Sequence, residues 1–85
     1  MQLEAMLDLH GLTQAAAFDT LRRFIEQSRR QDKRCLLVIT GKSGVLRREA
    51  PRWLEQMQPA VLSVASAEPR DGGDGALYVL LRRRR

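Results

Sequence analysis

The stretch Cys35-Leu36-Leu37-Val38-Ile39 constrains this chain more than any other feature, because it is apolar at every position. An extended segment apolar on both faces predicts a central strand covered on at least one side, here running on to Thr40. Helical periodicity flanks it. Ala17, Phe18, Leu21, Phe24, Ile25 and Ser28 fall on one stripe, and Arg22, Arg23, Glu26, Gln27, Arg29 and Arg30 on the other. That spacing predicts an amphipathic helix over residues 14–30, with Thr13 as its N-cap. Leu46, Ala50, Trp53, Leu54 and Met57 mark a second helix. Pro51 lies inside it, so the helix either kinks there or has its regular part from there onward.

The remaining segments read as strands and turns. Leu7-Asp8-Leu9-His10 alternates and then meets Gly11, residues 60–67 alternate weakly, and residues 76–82 form a last apolar strand. Residues 31–34 are a polar turn and residues 69–75 a glycine-rich loop. The order is β-α-β-α-β-β. It predicts an α/β fold, a two-layer sandwich in which a four-stranded mixed sheet carries two helices on one face. Strands one and two should be parallel with a right-handed crossover. Strands three and four should be antiparallel to one another or to strand two.

With 85 residues there is room for one core, expected over about residues 7–82, followed by a basic tail at 83–85. A hydrophobic fraction of 44% with 29% charged residues excludes a disordered composition. No apolar run approaches the ~20 residues of a membrane span. No signal peptide is visible at Met1-Gln2-Leu3-Glu4-Ala5-Met6, and a single cysteine forms no internal disulfide, so a cytoplasmic location is expected. One His and one Cys cannot build a zinc site. Cys35 and Trp53 read as core, and Tyr78 as a packing residue with a second capacity to stack on a base.

Charge is unevenly placed. Residues 1–21 carry three acids and no base, and the remainder carries 15 bases against 7 acids. Thirteen of the bases are Arg, whose guanidinium grips phosphate in a two-point fork, so a nucleic-acid partner is expected. A surface of ordinary solvated cations explains the same composition.

Chemistry should collect where the loops converge at the carboxyl ends of strands one and two. Asp8 and His10 leave a strand on one face, opposite to Leu7 and Leu9. They form either a base and its orienting carboxylate, or a turn cap beside a surface histidine. Gly41-Lys42-Ser43 ends like a P-loop, but Leu36 stands where that motif requires glycine. What remains is a Gly-Lys loop before a helix, able to hold one phosphate or to serve as a plain connection. Gly72-Gly73-Asp74-Gly75 demands either positive-φ turns or close approach of a ligand.

Together, Leu7-Asp8-Leu9-His10-Gly11, Thr40-Gly41-Lys42-Ser43-Gly44 and Asp71-Gly72-Gly73-Asp74-Gly75 resemble the three signatures of the Smr (small MutS-related) domain. The resemblance covers Leu7 to Arg82. Residues 45–54 look like the stand-alone bacterial branch, whose members commonly carry an N-terminal extension, so an excised or minimal domain is expected. The family implies a two-layer α/β fold similar to the C-terminal domain of translation initiation factor 3. It also implies nucleic-acid binding and, in several members, nicking or endonuclease activity on DNA or RNA. By position, Asp8 and His10 would be catalytic, Thr40, Gly41 and Lys42 would bind the phosphate backbone, and Gly72, Gly73 and Gly75 would shape the third loop. Two departures stand out: Asp71 replaces the usual His of the third signature, and the second loop is short.

The expectation is therefore a monomeric, nucleic-acid-binding nuclease domain, with a non-catalytic binding module as the alternative. Either His10 acts as base beside Lys42, or Asp8 with Asp71 or Asp74 holds Mg²⁺ or Mn²⁺ to activate water. A protein-interaction domain would instead present an apolar patch on the open sheet face around Tyr78 and Leu80.

Overall fold

The computed structural model describes residues 2–83. Arg84 and Arg85 of the expected basic tail lie outside the described residues. Four strands and two helices follow the expected order: β1 Ala5–Asp8, α1 Gln14–Arg30, β2 Cys35–Ile39, α2 Val45–Glu55, β3 Val61–Ser66 and β4 Ala76–Leu81. The sheet order is β1-β2-β4-β3. β1 pairs parallel with β2, β4 is antiparallel to β2, and β3 is antiparallel to β4. The two strands with the most continuous apolar sequence thus occupy the centre of the sheet.

Alternation sorts the sheet into two faces. Leu36 and Val38 of β2 and Val79 and Leu81 of β4 join Leu21 and Ile25 of α1 and Leu46, Trp53 and Leu54 of α2 in one core cluster. Both helices therefore cover the same face. The opposite face carries a smaller cluster of Leu37, Ala67 and Ala76, with Ile39 and Tyr78 packed against it. Tyr78 and Leu80 are half-buried rather than exposed.

Local chemistry explains the ends of α1. The Thr13 hydroxyl accepts the Ala16 N–H at 3.2 Å, which satisfies one of the open donors of the first turn. Arg29 and Arg30 complement the negative end of the helix dipole. Asp32, at φ 58, then turns the chain as the Lys33 N–H returns to the Ser28 carbonyl at 2.9 Å. On the solvent side Asp19 pairs with Arg22 and Arg23, and Glu26 with Arg22.

Three details depart from expectation. β1 begins two residues earlier than its alternating pattern, at Ala5, because Glu4 clamps its entrance. The Glu4 carboxylate accepts the N–H groups of Arg34 and Cys35 at 2.9 and 3.0 Å. Those bonds favour the ionised form and hold the Glu4 pKa below its ordinary value. Pro51 neither starts nor ends α2, which runs from Val45 through it to Glu55. Residues 69–75 are not a plain loop but two short 3₁₀ turns, Pro69–Asp71 and Gly73–Gly75.

Candidate nucleic-acid interface and active site

The carboxyl ends of β1 and β2 and the start of β4 meet at one rim. Leu9 extends the parallel pairing by donating to the Ile39 carbonyl at 2.7 Å, and its side chain is fully buried. That anchor forces the next residue, His10, to project at the surface. Asp8 faces away from the helices, beside Ile39 and in register with Ala76 across the sheet.

One oxygen of Asp8 holds His10 twice. Oδ1 accepts the His10 main-chain N–H at 3.0 Å and lies 2.6 Å from ring Nδ1. The turn-capping and base-orienting readings of this pair are therefore one arrangement. With the proton on Nδ1, assigned from this geometry, Nε2 carries a free lone pair. The imidazole is 69% exposed, so that lone pair can meet a substrate.

The His10 ring bond, followed by the His10 backbone bond, lowers the Asp8 pKa. A depressed folded value means the carboxylate stabilises the folded rim at pH above its unfolded value of about 3.9, and that this contribution disappears as pH falls through the lower folded value. Carboxyl NMR titration should place Asp8 below the ordinary midpoint. In His10→Ala the midpoint should rise but stay depressed, since the residue 10 N–H still donates. An unchanged midpoint would refute the ring contact.

The second loop lies against this pair. A side chain on Gly41 would place its Cβ 3.7 Å from the His10 Cβ. Thr40 is buried, and its N–H and the Gly41 N–H both donate to the Gly75 carbonyl, at 2.8 and 3.0 Å. The Thr40 hydroxyl donates to the Gly41 carbonyl at 3.1 Å and lies 3.3 Å from the Gly75 carbonyl. Thr40 thus braces the second loop against the third. Lys42 is exposed and shares an open cleft of about 320 Å³ with Pro69, Gly72, Gly73 and Asp74.

Glycine is required at two of the predicted positions. Gly72 has φ 115 and a Cβ there would fall 2.8 Å from the Ala76 Cβ, so this turn folds directly onto the sheet. A Cβ on Gly75 would meet the Gly41 carbonyl carbon at 3.0 Å and the Lys42 nitrogen at 3.2 Å. Gly75→Ala must therefore push two loops apart. It should cost about 1–3 kcal/mol of stability in a thermal melt, and weaken nucleic-acid binding further by displacing Lys42. A melt and an affinity matching the parent would show that the loops do not touch.

Asp71, from the third signature, points elsewhere. Its Oδ2 accepts the Tyr78 hydroxyl at 2.5 Å, and the same hydroxyl accepts the Glu68 N–H at 3.2 Å. The bond to Asp71 holds the Tyr78 phenol above its ordinary pKa. Among the described residues no group of three or more His, Cys, Asp or Glu gathers to hold a metal.

Arg47 was not among the sequence candidates. Its Nε donates to the Asp74 carbonyl at 3.2 Å, tying the first turn of α2 to the third loop. A signal did exist. Arg47 and Arg48 stand at the positive end of a helix with no acid in its first turn, where the dipole disfavours cations.

Residues 7–82 match the family model described as Smr domain. The chain belongs to the Smr domain family. It is 34% identical to the Smr domain of MutS2 from Thermus thermophilus, with a TM-score of 0.86 over 93% of this chain and 99% of that one. YdaL, a stand-alone small MutS-related protein from Escherichia coli, is 30% identical with a TM-score of 0.74, over 89% of this chain and 64% of that one. Among curated proteins, the ribosome rescue factor SmrB of Tolumonas auensis is 43% identical over 79 residues, 92% of this chain and 45% of that protein. An Escherichia coli SmrB is 40% identical over 92% of this chain and 43% of that protein. The chain thus spans less than half the length of these curated relatives. No helix among its described residues is long and apolar enough to cross a membrane.

Proposed function

We propose that this Smr domain binds nucleic acid across the loop rim and cleaves its phosphodiesters, with His10 as base and Asp8 as its positioning residue. The observation that carries the reading is the Asp8–His10 contact of 2.6 Å, with the ring exposed and the His10 Cβ beside Gly41. Neutral His10 takes a proton at Nε2 from a ribose 2′-hydroxyl or from water. The freed oxygen attacks phosphorus, and the bond to the leaving oxygen breaks. The imidazolium can return its proton to that oxygen, so the protons balance. Lys42 offsets the charge that builds on the phosphorane oxygens. Gly72, Gly73 and Gly75 keep the third loop close enough for Lys42 to line the cleft.

RNA is the favoured polymer, because relatives at 40–43% identity are called ribosome rescue factors. The cytoplasm is then the place of action. No step is routed through a metal. The deciding experiment is a cleavage assay on structured RNA and supercoiled DNA, each with and without EDTA. Turnover on RNA that survives EDTA is expected. Binding without turnover on either polymer would leave the domain a binding module, a reading that the Tyr78 bond to Asp71 favours, since no second imidazole stands in that loop. Lys42→Ala should weaken all sequences alike and reduce the slope of log affinity against log salt by about 1. Sequence-dependent loss would remove Lys42 from the phosphate-contact role.

A further inference from the structure

At the pole opposite the rim, a cavity of about 390 Å³ is lined by Arg29, Asp32, Lys33, Arg34, Arg82 and Arg83. Among the described residues, five cations and one carboxylate line it. They come from two distant stretches of chain, the end of α1 with its turn and the end of β4. Arg34 precedes β2 and Thr40 follows it, so the two poles lie about 20 Å apart along that strand.

The helix dipole explains cations at the end of α1, but not Arg82 or Arg83. Elsewhere on this surface cations are neutralised, as Arg22 and Arg23 are by Asp19 and Glu26. Among the described residues, Lys33, Arg34, Arg82 and Arg83 form no ion pair. Glu4, close enough to feel Lys33 and Arg34, already spends Oε1 on two main-chain N–H groups. Mutual repulsion in such a cleft disfavours folding, so an external anion is the natural counterweight.

Two of the guanidinium groups are also anchored. Arg34 donates Nε to the Leu81 carbonyl at 3.2 Å, and Arg82 donates Nε to the Pro59 carbonyl at 3.0 Å. Each is fixed through Nε, which leaves its two terminal nitrogens for a two-point contact. That fork matches the oxygens of a phosphodiester.

We propose that this cleft is a second binding site for a polynucleotide backbone, separate from the loop rim. It grips phosphates without reading bases and holds a second segment of the strand engaged at the rim. The proposal shares its class of ligand with the rim reading but none of its residues. An acidic polypeptide is the competing occupant, since a carboxylate fits the same fork; the strand already engaged at the rim favours the polynucleotide.

The test pairs Lys33→Gln/Arg83→Gln, which spares both Nε-anchored arginines, with Lys42→Ala at the rim. Anisotropy of a labelled hairpin RNA and a labelled duplex DNA is followed across salt concentrations, with polyglutamate as competitor. The double variant should bind nucleic acid about tenfold or more weakly near physiological salt, and its salt slope should shrink by about 2. It should melt no lower than the parent, and any cleavage at saturating RNA should keep its rate. If Lys42→Ala leaves affinity intact while the double variant loses it, the rim reading fails and this one stands. Parental affinity and slope in the double variant would overturn the proposal. So would a loss confined to polyglutamate.

Discussion

His10→Ala should slow cleavage of structured RNA by about 10²–10⁴-fold, the range over which a positioned base acts, while its affinity for the same RNA stays close to the parent's. The separation follows from the geometry. His10 carries no hydrogen bond to the second or third loop, so removing its ring takes away the proposed base and leaves the Thr40–Gly75 brace and Lys42 in place. Asp8→Asn makes a graded companion. The amide oxygen can still accept the residue 10 N–H, so the turn survives, but the carboxylate that fixes the ring tautomer is gone. Its rate should fall between those of the parent and His10→Ala, with binding unchanged. Single-turnover rates and anisotropy on one RNA decide the matter. Equal rates in the parent and His10→Ala would mean that the cleavage belongs to something other than this site. A parallel fall in rate and affinity would make His10 a ligand-binding residue instead.

How much of this was legible beforehand depends on the range of the interactions involved. α1 was readable to the residue, because its cap at Thr13, its apolar stripe and its basic end are all local. The central placement of β2 followed from its continuous apolar sequence, while that of β4 was left open, and the meeting of the three loops followed once β4 lay antiparallel to β2. Contacts between distant segments were hidden. The Glu4 clamp that starts β1 joins residues thirty positions apart. The fold-back of Gly72 onto Ala76 turns a supposed open loop into two packed turns and delivers Asp71 to Tyr78 rather than to the rim. No periodicity in residues 68–78 encodes that bond. The basic cleft was hidden for the same reason, since a tail and a turn become neighbours only once β2 and β4 pair. The Asp8–His10 pair shows the opposite case. Its two-residue spacing made the contact foreseeable, whereas its double use of Oδ1 required the chain to leave the strand at Asp8.

The largest expected loss of stability is at Trp53. The indole is only 8% exposed and sits in the core cluster with Leu46, Ala50 and Leu54 of its own helix. Phe18 of α1 meets it edge to face, with ring centroids 5.3 Å apart and an interplanar angle of 80°. Trp53→Ala should cost about 3–5 kcal/mol. A domain of this size has a total stability of roughly 4–13 kcal/mol, so the loss is a large share of it. The melting temperature should drop by at least about 12 °C, given about 4–8 °C per kcal/mol in small domains. Phe18 is 38% exposed, so Phe18→Ala should cost much less, about 1 kcal/mol for the ring pair itself. The rim should suffer before the fold does. α2 carries Arg47, whose bond to Asp74 holds the third loop, so a helix that has lost its indole anchor lets that loop drift. RNA affinity should therefore weaken in Trp53→Ala at temperatures where circular dichroism still reports a folded domain. Urea melts of both variants and of the double variant measure the coupling between the rings directly. A Trp53→Ala melt within about 0.5 kcal/mol of the parent, the size of an ordinary surface change, would place the indole outside the core. Trp53 would then have to be reconsidered as a surface for stacking bases.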